Sequence, residues 1–219
     1  MVQFENGYIV PKTRYEFFVK GNIISPYDKT VHNVGYFGEG EYKSSFNGKQ
    51  TKQYSYWHQM MNRCYASFYN IEAYKYCTVC EEWHNYQVFA KWYDENYYEI
   101  PNEVMCLDKD ILVKGNKIYS PETCVFVPQY INTLFIKTLE RKNKLPIGVV
   151  LDKNKNRKKR YRASADKIFI GMFETPEEAF NGYKNVKELH IKQVTDKYKK
   201  YIPQKLYDAM YKYEVEITD

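Results

Sequence analysis

Lys158-Lys159-Arg160-Tyr161-Arg162-Ala163-Ser164-Ala165-Asp166, followed closely by Glu174-Thr175-Pro176-Glu177-Glu178-Ala179, is the stretch on which the fold of the C-terminal part turns. Successive side chains of a strand point to opposite faces, so Lys158, Arg160, Arg162 and Ser164 share one side while Tyr161, Ala163 and Ala165 share the other. Small residues on that second side let a helix sit close. The helix opens at Thr175, whose hydroxyl can cap the first turn, with Pro176 at the first helical position and acids behind it. Its pattern runs to about Tyr198, and Ala179, Tyr183 and Val186 fall on one stripe. Flanking strands are predicted over 147–152 and 168–173, with the middle strand over 159–166.

Basic charge is concentrated in the same region. Residues 137–205 hold 19 Lys and Arg against 8 Asp and Glu, which leaves the rest of a chain of net charge +6 mildly acidic. A basic block beside an acidic partner predicts that one part grips a polyanion while the other does something different. Guanidinium groups on the outward side of the middle strand suit that grip, because they bond phosphates and guanine edges through two parallel donors. The 219 residues suffice for one large domain or two small ones, and 44% hydrophobic content provides for packed cores. No run approaches eighteen apolar residues and the first residues lack a secretory profile, so no membrane partner and a cytoplasmic location are expected. The five cysteines, an odd number, fit reduced thiols better than a disulfide framework.

Upstream, residues 1–53 read as an irregular extension with short strands at Tyr8-Ile9-Val10 and Phe17-Phe18-Val19. Trp57, Met60, Met61, Cys64 and Phe68 recur at helical spacing and predict an amphipathic helix over 54–68; Trp83, Tyr86, Val88, Phe89 and Trp92 predict another over about 83–94. The pattern then changes to a strand over 105–112, a turn at Gly115-Asn116, a strand over 123–127 closed by Pro128, and a short helix over about 129–136. Residues 138–144 are charged and nearly free of apolar side chains, which marks a linker. One more short helix is predicted after Ile202. The expected class is α+β: a helical lead-in and a ββα core over 54–137, then a three-stranded antiparallel sheet with one packed helix over 145–219.

The C-terminal part resembles the AP2 domain at Ile147-Gly148-Val149, Tyr161-Arg162-Ala163, Gly171-Met172-Phe173, Thr175 to Ala179, Tyr183 and Lys187-Glu188. That resemblance implies a sheet that enters the major groove of double-stranded DNA, with Arg157, Lys159, Arg160 and Arg162 as contacting residues and Lys158 beside them. The middle part, from Leu107-Asp108-Lys109-Asp110 through Gly115-Asn116 and Cys124 to Asn132, resembles phage and bacterial HNH homing endonucleases that carry an AP2 domain. Trp57, Met60-Met61, Arg63-Cys64-Tyr65, Val79, Glu82-Trp83 and Phe89 match the helical lead-in of the same group. What this implies is metal-dependent hydrolysis of DNA, a divalent cation, Mg²⁺ foremost, on Asp108, Asp110 and Asn132, catalytic roles for Asp108 and Lys109, and, for a phage-encoded chain, the host cytoplasm.

Metal-assisted cutting of a phosphodiester needs hard oxygen ligands, a base for water and cationic charge on the developing oxyanion. Asp108 and Asp110 fall on one face of the predicted strand, and Asn132 returns on the helix. Lys109 stands where the group has its histidine, and Thr123 where it has its middle asparagine. A lysine acts as a base only after a large fall in pKa, whereas a lysine clamping phosphate needs none. Tyr119 or His84, brought in by folding, are the other candidate bases. An alternative is a non-enzymatic DNA-binding protein, a regulator or counter-defence factor, in which the core has become a scaffold. A third reading has the acidic, aromatic N-terminal half bind a protein partner. Cys77-Thr78-Val79-Cys80 has the spacing of half a zinc site, but no second pair exists and structural zinc is not expected.

Overall fold

The computed structural model describes residues 1–67, 74–135, 145–154, 157–166 and 168–218. In chain order the elements are β1 (Val2–Gln3), β2 (Ile9–Val10), α1 (Tyr15–Val19), β3 (Ser45–Phe46), β4 (Lys49–Gln50), α2 (Lys52–Tyr65), β5 (Thr78–Val79), α3 (Tyr86–Asn96), β6 (Met105–Asp108), β7 (Ile118–Tyr119), β8 (Val125–Pro128), α4 (Gln129–Leu134), β9 (Val149–Leu151), β10 (Tyr161–Ala165), β11 (Ile168–Phe173), α5 (Pro176–Tyr198) and α6 (Gln204–Tyr211). They form two compact units, Met1–Tyr97 with Lys117–Glu122, and Tyr98–Asn116 with Thr123–Asp219. The expected linker over 138–144, like Phe68, lies outside the described residues. No helix among the described residues is long and apolar enough to cross a membrane.

In the first unit α2 and α3 bury an aromatic core. Thr51 caps α2, its hydroxyl accepting from the Tyr54 amide at 3.3 Å, and Asn85 caps α3 through the Gln87 amide at 3.0 Å. Trp57, Met60, Met61, Trp83, Tyr86 and Phe89 are all fully buried. The Trp57 indole donates to the Trp83 carbonyl at 2.7 Å, so the largest side chain of α2 is fixed by a hydrogen bond as well as by packing. The helix expected over 83–94 is instead a single 3₁₀ turn, Glu81–His84, followed by α3, because Asn85 takes an extended conformation and starts a new helix. Phe17-Phe18-Val19 is a correction: these residues belong to α1, which has no buried residue. Strand propensity acts only where a neighbouring strand pairs, and here the Lys20 amide closes a local bond to the Glu16 carbonyl at 3.1 Å. β5 and β7 pair in parallel, Thr78 with Ile118 and Val79 with Tyr119, a non-local match with no local signature in either segment.

In the second unit β6 and β8 pair antiparallel from Met105 opposite Pro128 to Asp108 opposite Val125, and α4 packs against both strands. The strand expected over 105–112 therefore stops at Asp108. Its carboxylate Oδ1 accepts from the amides of Asp110, at 2.9 Å, and Ile111, at 2.7 Å, and so turns the chain out of the ladder. Further along, β9, β10 and β11 form an antiparallel sheet in the order β11-β10-β9. One layer covers it: Val149, Ala163 and Ala165 of the sheet are buried with Ala179, Phe180 and Tyr183 of α5 and with Val215 from the C-terminal segment. Thr175 caps α5 as its sequence predicts, accepting from the Glu178 amide at 3.1 Å. Gly148 has φ +72, and a Cβ there would run into the Tyr183 ring, so close approach of β9 to α5 requires glycine. α6 packs on α5 with Leu206 and Met210 fully buried.

Candidate functional site

The outer face of the β9–β11 sheet is built by strand alternation. Arg162 lies directly opposite Val150 on one side and Met172 on the other, which makes one row across the three strands. Its neighbours Tyr161 and Ala163 point toward α5, so Arg162 points away and is exposed. The next row holds Ser164 and Phe169, because the register shifts between Ala163 and Ser164 and leaves Ile170 as the extra residue of a β-bulge. The Arg162 guanidinium lies over the Phe169 ring, 5.5 Å from its centroid. Arg160 precedes this row; its Nε is buried and has no hydrogen-bond partner among the described residues.

The remaining basic residues differ in how they are held. Arg157 Nη1 pairs with Asp152 at 2.9 Å and Lys158 Nζ with Glu174 at 3.1 Å, so two carboxylates from neighbouring segments partly neutralise them. Lys159 is exposed. On the other side of the sheet, Asp166 sits with φ +47 in the turn after β10 and binds two side chains of α5: Lys187 Nζ at 3.2 Å and His190 Nδ1 at 2.8 Å. Burial pushes the Asp166 carboxyl up, but the His190 hydrogen bond and the Lys187 charge outweigh it and hold the group below its ordinary value. This bracing trio carries no sequence motif; only an acid at a turn, read against a lysine and a histidine spaced three apart on the next helix, signals it.

The ββα unit brings together Asp108, Lys109 and Asp110. Burial alternates past the end of β6: Met105, Leu107, Lys109 and Ile111 are buried, while Cys106, Asp108 and Asp110 are half-buried. Lys109 thus points inward, its side chain only 7% exposed, and its Nζ lies 3.2 Å from Asp110 Oδ2. Its carbonyl accepts from Asn116 Nδ2 at 2.7 Å, which closes the turn through Gly115. Burial, then the charge of Asp110, push Asp108 up to about 6. Asn132 is half-buried on α4 of the same unit, and among the described residues it is hydrogen-bonded to neither aspartate. Two carboxylates and an amide oxygen are hard donors of the kind Mg²⁺ takes, and the mutual repulsion of Asp108 and Asp110 is what a cation would relieve, so in donor type alone these residues suit a divalent metal.

Tyr119 and His84, the alternative bases, belong to the first unit. Burial drives the Tyr119 phenol far above its ordinary value, and His84 Nε2 is engaged with the Val79 carbonyl at 3.1 Å. Cys77 and Cys124 are buried, Cys64, Cys80 and Cys106 half-buried, and no group of three or more His, Cys, Asp or Glu among the described residues is arranged to hold a metal. Set beside family models, curated proteins and solved structures, the chain matches none of them.

Proposed function

We propose that this chain binds duplex DNA through the outer face of the β9–β11 sheet and hydrolyses its phosphodiester bonds with a divalent metal, in the manner of HNH endonucleases that carry an AP2 domain. The observation that carries the first half is the row through Arg162: a guanidinium turned outward on a sheet whose other side is closed by α5, in the segment that holds the basic excess. For the second half the support is chemical. Asp108, Asp110 and Asn132 would hold the cation, which when bound supplies Lewis-acid charge to a phosphate and acidifies a water. Asp108 Oδ1 is occupied by backbone amides, so it would offer Oδ2, while Lys109 tempers the charge of Asp110.

A second reading, a DNA-binding protein whose core no longer cuts, is favoured by Lys109 itself, which is turned inward and paired. Incubating supercoiled plasmid and phage genomic DNA with the purified chain and Mg²⁺ or Mn²⁺ separates the two. Nicking that disappears in Asp108→Ala and in Asn132→Ala, with DNA binding retained, is the expected result. Bound but intact DNA under both metals selects the second reading.

A further inference from the structure

The apolar residues around Arg162 are on the wrong side of the sheet for a core. In a two-layer unit the face away from the helix is ordinarily polar. Here Val150 is 56% exposed, Phe169 is 56% exposed, and Met172 completes the row beside Arg162. The bulge sharpens this: with unbroken pairing Ser164 would face Ile170, but the shift turns Ile170 toward α5 and sets Phe169 on the outer face under the Arg162 guanidinium. A grip on phosphates alone has no use for such groups, since phosphate contacts are made by cations and polar donors. The major groove offers one apolar group, the C5-methyl of thymine, beside the acceptors of guanine that a guanidinium reads. Two interstrand spacings put Val150 and Met172 about 10 Å apart, which fits a groove about 12 Å wide.

We infer that this face selects sequences in which thymine lies next to the guanine read by Arg162, with Val150, Met172 and Phe169 packing against the thymine methyl. The inference rests on the reading of this sheet as the DNA-binding face. The cation–π contact with Phe169 holds the guanidinium on the outer face, where it can make two parallel bonds to guanine, while the flanking side chains become buried only when a methyl meets them.

The test uses the full chain and duplexes enriched from a random pool by that chain, amplified with either dTTP or dUTP; uracil lacks only the methyl. The thymine duplexes should bind more tightly by about fourfold for each methyl contacted, the equivalent of ~0.8 kcal/mol. Val150→Thr and Met172→Gln, changes of exposed or half-exposed side chains, should weaken binding to the thymine duplex and shrink the difference between the two. Equal affinity of the wild-type chain for both duplexes overturns the inference and leaves DNA binding standing. So does a difference that persists undiminished in both variants, since it would then arise from the stiffness of the DNA. Failure to enrich or retain any duplex at low salt overturns the functional reading itself, and an outer face that instead captured a protein would do the same.

Discussion

With its side chain only 7% exposed and its Nζ 3.2 Å from Asp110 Oδ2, Lys109 neutralises one of two adjacent carboxylates. Replacing it with methionine keeps the buried stem and removes the charge. Because Asp110 is 38% exposed and solvent screens it, the expected loss is about 1 kcal/mol at pH 7, read by urea unfolding. The loss should shrink on acidification. Asp108 is pushed up to about 6 from an ordinary 3.8, so the folded chain holds its proton more tightly than the unfolded one, and stability from this group rises as pH falls from about 6 toward 3.8. A loss that is the same at pH 7 and pH 4.5 would show that Lys109 and Asp108 are electrostatically independent.

The β10–β11 hairpin and α5 are joined by hydrophobic packing and by a polar brace. Ala163, Ala165, Phe180 and Tyr183 supply the packing, and Asp166 supplies the brace to Lys187 and His190. The Asp166 carboxyl is held below its ordinary 3.8, so its contribution is present above that pH and lost as pH falls through the lower, folded-state value. Asp166→Asn should therefore lower the melting temperature at pH 6, and the gap between wild type and variant should close below about pH 4. A gap that stays constant across this range would assign the effect to the hydrogen bonds that Asp166 accepts from Lys187 and His190 and not to its charge, since asparagine tolerates the positive φ as well and leaves the backbone unchanged.

Charge is partitioned over the whole molecule, with the excess of cations confined to residues 137–205. If those cations meet phosphates, affinity of the full chain for any duplex should fall steeply with salt, and Arg162→Ala should flatten the slope by about 1 if it neutralises one phosphate, or leave it nearly unchanged if it reads a base. A filter-binding titration between 50 and about 200 mM salt distinguishes these cases. The full chain is needed because the C-terminal segment completes the fold: Val215 belongs to the core under the sheet, and its amide donates to Glu188 at 2.8 Å.

What the sequence determined by itself is what short-range periodicity encodes. The facing of Tyr161, Arg162 and Ala163, the Thr175 cap with Pro176 behind it, and the burial of Trp57, Met60 and Trp83 all follow from patterns of two or of three to four residues, and all stand in the structure. Pairing decided the rest. Phe169 reaches the outer face only because a bulge shifts its register, β5 meets β7 across a separation no local pattern specifies, and Arg157 and Lys158 find Asp152 and Glu174 once the strands align. At the candidate metal site the sequence brought Asp108 and Asp110 to one side and named Asn132 with them, but it did not foresee that alternation would bury Lys109; among the described residues Asn132 is hydrogen-bonded to neither aspartate. A two-residue period tells which side a side chain takes; whether that side meets solvent or core depends on what folds against it, and that is a property of the tertiary structure alone.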